Sequence, residues 1–89
     1  MILGKVVGTV WATRKDEELV GAKLMIVKHV DLDYKVKDAF VVAVDTVQAG
    51  VGDVVLIATG SSARQTAVTK NKPVDAVIMA VVDKLDIAD

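Results

Sequence analysis

His29, Ser61 and Ser62 are the residues of this 89-residue chain whose types could carry nucleophilic chemistry, with twelve carboxylates available as a third member. A serine hydroxyl becomes a nucleophile only beside a base, and the imidazole that serves as base needs a carboxylate to orient it. The tight G-x-S-x-G turn that lifts a serine above a sheet does not occur here. The serines stand instead in Gly60-Ser61-Ser62-Ala63-Arg64. His29 lies between Lys28 and Val30, just before Asp31, and reads as the polar end of a strand entering a turn rather than as a base or a metal ligand.

Three further stretches imitate ligand sites. Asp31-Leu32-Asp33 begins like a calcium loop, but Lys35 takes the third ligand place, Val36 the place of the required glycine, and Phe40 to Val44 the region of the closing glutamate. A solvated turn is the better reading. Gly50-Val51-Gly52 is half of a dinucleotide fingerprint, yet Val55 fills the third glycine place and a strand follows where a helix is needed. As a structural loop it makes sense, because Gly50 and Gly52 allow φ > 0 or close backbone approach. Gly60 to Arg64 could cradle an anion on backbone amides and the Arg64 guanidinium. The same residues also suit a helix start, with Ser61 or Ser62 as the cap and Ala63-Arg64-Gln65 as the first residues. Trp11 could stack on a base, but one Trp, one Phe and one Tyr are too few for a stacking platform. These patterns assign no catalytic group, no metal site and no cofactor site.

The elements that would position them are strands. Valine supplies 19 residues, and with five Ile and six Thr the β-branched residues total 30, which favours pleated strands. Five strands are expected, at about Gly4 to Thr13, Lys23 to Val30, Asp38 to Val47, Asp53 to Thr59 and Ala76 to Lys84. One short helix follows Gly60, and Val68 and Thr69 argue against its continuing far. Neither a repeat nor a linker divides residues 1–89, so one domain is expected, small and all-β.

Facial patterning carries the argument toward function. A strand with one wet face alternates apolar and polar side chains. Phe40-Val41-Val42-Ala43-Val44 and Val54-Val55-Leu56-Ile57-Ala58 are continuous, and Val77 to Val82 is apolar toward both sides. A barrel has one interior, and 53% of the residues are hydrophobic, more than a small lone barrel can hide. Another subunit is therefore expected to cover part of the outer face. Contacts between two different patches repeat until rotation closes a ring.

Charge and composition exclude other classes. A net charge of −1 gives no footprint for nucleic acid or an anionic membrane. The absence of cysteine removes disulfides and thiolate chemistry and makes a reducing cytosol the natural compartment. MILGKVVGTV lacks the pattern of a signal peptide, and no run approaches the ~20 apolar residues of a membrane span.

Taken together, Gly4-Lys5-Val6-Val7-Gly8-Thr9-Val10 with Thr13-Arg14-Lys15, Leu19-Val20-Gly21-Ala22-Lys23-Leu24, the stretch Val44 to Arg64, and Pro73-Val74-Asp75-Ala76 leading into Val81-Val82-Asp83 resemble the pentameric vertex proteins of bacterial microcompartment shells. The resemblance spans nearly the whole chain. It implies a five-stranded barrel of the oligonucleotide-binding shape, assembled as a homopentamer that fills the vertices of a carboxysome or metabolosome shell in the bacterial cytoplasm, in contact with hexameric shell proteins. It implies no catalysis. In such a ring Gly50, Val51 and Gly52 could form a structural loop or line a pore, and Ser61, Ser62 and Arg64 could cap the helix and meet a neighbour. Gln48 departs from the pattern, which has a glycine before Ala49-Gly50, and Met79-Ala80 stand where smaller residues are common. The alternative is an oligomeric barrel that binds a small anion at the Gly60 to Arg64 turn.

Overall fold

The computed structural model describes residues 1–88. β-branched residues dominate five strands: β1 (Ile2–Val10), β2 (Leu24–Val30), β3 (Val36–Asp45), β4 (Val54–Thr59) and β5 (Ala76–Val81). β1 pairs antiparallel with β2 from Gly4 opposite His29 to Val10 opposite Leu24. β2 pairs antiparallel with β3, from Leu24 opposite Val44 to Val30 opposite Val36. β4 lies antiparallel to both β1 and β5. A short parallel pairing of Val44 with Val77 and Asp45 with Ile78 closes the barrel in the order β1-β2-β3-β5-β4. Closure removes most of the sheet edge, as in barrels of the oligonucleotide-binding shape.

All five expected strands are present, with ends that differ. β1 starts at Ile2 and stops at Val10, so Trp11 lies beyond the strand and is 90% exposed. A bulge between Val6 and Gly8 explains the early loss of alternation, because Val7 becomes an extra residue opposite β2. β5 ends at Val81, three residues before Lys84.

The interior is filled by Val6, Met25, Val27, Ala43, Val55, Ile57 and Ile78, with Ala49 and Ala76. Each large side chain among them contributes about 1.5–3 kcal/mol by leaving water. A second cluster lies outside the barrel wall. Val44, Ala58 and Val77 pack there with Ala63, flanked by Leu24 and Val74. The cover is a 3₁₀ turn, Gly60–Arg64, which presses Ala63 onto these outward side chains. A second 3₁₀ turn, Glu17–Leu19, is capped by Asp16, whose carboxylate accepts the Glu18 N–H at 2.9 Å.

The two-faced strands are thus only partly covered by the chain itself. Val7, Phe40, Val42, Met79 and Val81 remain exposed on β1, β3 and β5. The first half of β3, Val36 to Phe40, is exposed at every residue.

Candidate functional site

The loop between β3 and β4 is fixed by two carboxylates. Asp45, with a side chain only 2% exposed, accepts the N–H groups of Val47 at 3.0 Å and Ala49 at 3.2 Å. Lys23 stands 3.9 Å from its other oxygen. Asp53 accepts the Gly50 N–H at 2.8 Å and returns its own N–H to the Gly50 carbonyl at 3.0 Å. The loop is then sewn to β1, because Gly52 donates to the Val6 carbonyl at 2.8 Å and Val6 donates to the Asp53 carbonyl at 2.9 Å. Ala49 points into the core, and Val51 projects at the tip, 68% exposed.

The glycines of this loop divide in role. Gly52 has φ +98°, a conformation that L side chains rarely adopt. Gly50 does not have positive φ, and a Cβ placed there would make only ordinary contact, 3.8 Å from an Asp53 oxygen. The expectation that both glycines answer a backbone demand is corrected for Gly50. The left-handed residue of the loop is instead Gln48, at φ +59°. A glycine would sit there without strain, which accounts for the glycine that the family pattern leads one to expect. Close approach is met elsewhere, at Gly4, where an added Cβ would come within 2.5 Å of Val27 Cγ1 and 2.9 Å of the Lys28 carbonyl.

The Gly60 to Arg64 turn also differs from expectation. Thr59 occupies the cap position without a side-chain cap bond, and Ser61 and Ser62 lie inside the turn rather than capping it. Gly60 at φ +66° makes the bend from strand to turn, so the turn already begins at Gly60, ahead of both serines. Arg64 donates from Nη1 to the Val74 carbonyl at 3.0 Å, tying the turn to the segment before β5. Buried Thr69 bonds the Ala63 carbonyl at 2.6 Å and meets Thr66 Oγ1 at 2.6 Å, which holds the connection over the second cluster.

His29 sits near the end of β2, half-buried, opposite Gly4, and its Nε2 is buried without a hydrogen-bond partner. The described residues hold no group of three or more His, Asp or Glu side chains placed to bind a metal. Asp31 does not project as a calcium ligand. Its Oδ1 accepts the N–H groups of Asp33 and Lys35, both at 2.9 Å, and Lys37 Nζ stands 3.5 Å from Oδ2. The Lys35 N–H above all, with those of Asp33 and the Lys37 ammonium, holds this carboxyl below its ordinary value of 3.8 against the opposing effect of burial. Tyr34 at φ +62° completes a tight turn at the tip of the β2–β3 arm.

What these residues build is a rigid shell around a filled interior, with its distinctive chemistry in uncovered apolar surface. Residues 1–83 match the family described as ethanolamine utilisation protein EutN/carboxysome. The chain belongs to the EutN/CcmL family. It is 41% identical to the bacterial microcompartment shell vertex protein GrpN of Rhodospirillum rubrum over 97% of both chains. It is 39% identical to the shell vertex protein PduN of Salmonella typhimurium, over 96% of this chain and 98% of that one. Among solved structures, CcmL of Gloeobacter violaceus superposes with a TM-score of 0.93 at 36% identity, covering 98% of this chain and 90% of that one. The pentameric GrpN shell protein superposes at 0.90 with 40% identity, over 99% of this chain and 100% of that one. Membership of this EutN/CcmL family of shell vertex proteins makes the chain a structural component and not an enzyme. No helix among the described residues is long and apolar enough to cross a membrane.

Proposed function

We infer that the chain is a shell vertex protein whose pentamer caps the corners of a polyhedral bacterial microcompartment. The observation that carries this reading is the apolar surface on three strands, Val7, Phe40, Val42, Met79 and Val81, which the second cluster leaves uncovered. Such a surface in a small barrel calls for a neighbour, and the pentameric relatives supply the kind of neighbour: further copies of the same chain.

Several finer points belong to the proposal. Residues 1–89 act as one vertex domain. Hexameric shell proteins surround the ring, since flat sheets of six-fold tiles close into a polyhedron only with five-fold members at the corners. The Gly50-Val51-Gly52 tip faces the five-fold axis, where a stiff, hydrogen-bonded loop with an exposed valine would give the opening a fixed width. Ser61, Ser62 and Arg64 lie at a subunit boundary, with exposed hydroxyls available to a neighbour.

Native mass spectrometry tests the assembly. A dominant five-subunit species at micromolar concentration is expected, and a dominant monomer would overturn the reading. Co-purification with a hexameric shell protein in the same cell tests the tile contact.

A further inference from the structure

The arm formed by β2 and β3 carries an open backbone edge. On β3 only Val44 and Asp45 pair with β5, so Phe40 to Ala43, and Val36 beyond an irregularity at residues 37–39, pair with β2 alone among the described residues. Beside that edge lies a notch of ≈ 430 Å³, walled by Phe40, Val41 and Val42 on one side and by Thr59, Gly60 and Asp75 on the other. The unpaired edge at Phe40 to Ala43, with Phe40 and Val42 exposed on it, is a template for one more strand.

The chain also contains a segment that no strand pairs. After β5, Val82 donates to the Val54 carbonyl at 2.7 Å, and residues 83–88 then leave the sheet. Lys84-Leu85-Asp86-Ile87 alternates, with Lys84 and Asp86 bridged at 3.5 Å on one side and Leu85 and Ile87 on the other. Alternation of this kind marks a half-buried strand, yet Ile87 is 53% exposed. Six extended residues reach about 20 Å, enough to follow most of the open β3 edge. Lys84 and the notch residue Asp75 offer opposite charges, and the exposed Lys84–Asp86 pair is weak enough to exchange.

The geometry points to strand addition between subunits: residues 83–88 of one copy pair with the open β3 edge of the next copy and seat Leu85 and Ile87 against Phe40 and Val42. Donor segment and acceptor edge are different patches of the same chain, so the contact is heterologous and propagates around the ring until it closes. This rests on the pentameric reading and adds to it the element that joins neighbours.

The chain has no cysteine, so the test can use introduced ones. The double variant Val42→Cys, Leu85→Cys is treated as the assembled ring with a short bismaleimide and run under denaturing conditions. A ladder of covalent species up to five subunits is expected, with neither single variant going beyond a dimer. Deletion of 83–89 should move the native mass from ring to monomer while the barrel keeps its circular dichroism. If the deleted chain fails to fold, the ladder decides. A ring that survives the deletion, or a double variant that links only within one chain, overturns the inference and leaves the pentamer standing. A full-length chain that is monomeric overturns the pentameric reading instead.

Discussion

The Asp45 carboxylate accepts the Ala49 N–H at 3.2 Å, and this bond joins the end of β3 to the alanine that plugs the barrel beneath the loop. The same oxygen accepts the Val47 N–H at 3.0 Å, so one buried side chain sets the path of the turn in which Gln48 is left-handed. Asp45→Ala would leave two donors unpaired in a half-buried to buried setting. A loss of about 1–3 kcal/mol is expected, read as a lower urea midpoint at fixed protomer concentration. Asp45→Asn retains an accepting oxygen and should recover part of the loss.

Backbone geometry separates three glycines that composition treats alike and singles out Gln48 beside them. Gly52→Ala places a side chain at φ +98° and should destabilise by about 1–3 kcal/mol. Gly50→Ala should be close to neutral, since only ordinary contact awaits its Cβ. Gly4→Ala should be the most damaging, because the Lys28 carbonyl at 2.9 Å is backbone and cannot move aside cheaply. Gln48→Gly should stabilise, by at most about 1–2 kcal/mol, by relieving a left-handed residue at φ +59°. Thermal melts of the four variants check the order, and a Gly50→Ala variant weaker than Gly4→Ala would contradict it.

These corrections show what was legible in the sequence and what was not. The strands at 24–30 and 54–59 could be read almost to the residue, because β-branched runs end there at polar turns. The end of β1 could not, since it falls where pairing with β2 stops at Val10 opposite Leu24, a register that no local residue signals. Nor could Gln48, because nothing in a glutamine signals positive φ; only the glycine expected by resemblance hinted at it. The continuous runs implied burial on both faces. That Val44, Ala58 and Val77 find cover from their own chain depends on Ala63 arriving through a turn, a contact without local signature. The serines pointed to a cap, but Gly60 bends the chain earlier and Thr59 takes the place.

The uncovered outer face gives a prediction about assembly alone. Val42→Asp introduces a charge on a side chain already 41% exposed in one subunit, so the barrel should still fold. Burial of that charge in a subunit contact would be unfavourable, and the ring should dissociate. Native mass spectrometry beside circular dichroism separates the two effects. An intact ring carrying Val42→Asp would place this residue outside the contact.

Asp31 predicts a pH effect with a definite sign. Its folded carboxyl titrates below the ordinary 3.8, chiefly through the Lys35 N–H. A depressed carboxyl contributes stability that is present above the ordinary value and is lost as pH falls through the folded one. Loosening of the arm tip should therefore begin below about pH 4. Asp31→Asn removes the titrating group, and hydrogen exchange at Asp33 and Lys35 should become flatter across that acid range than in the unaltered chain.

The cellular prediction follows from geometry. A tile layer of six-fold members is flat or rolled, and closure of a polyhedron needs five-fold corners, which a ring built from heterologous contacts of this chain supplies. Removing the gene should give elongated or unclosed compartments that still hold their cargo. The enclosed enzymes should keep full activity in lysate, because a structural shell protein contributes no group to their chemistry. Electron microscopy of the deletion strain, paired with an activity assay on broken cells, measures both consequences. Complementation with the Val42→Asp variant should leave shells open even when the protein accumulates normally, since it is the assembled ring that the corner requires. Normal polyhedra together with a lost reaction would reverse the assignment, placing the chain among the catalytic contents rather than the shell.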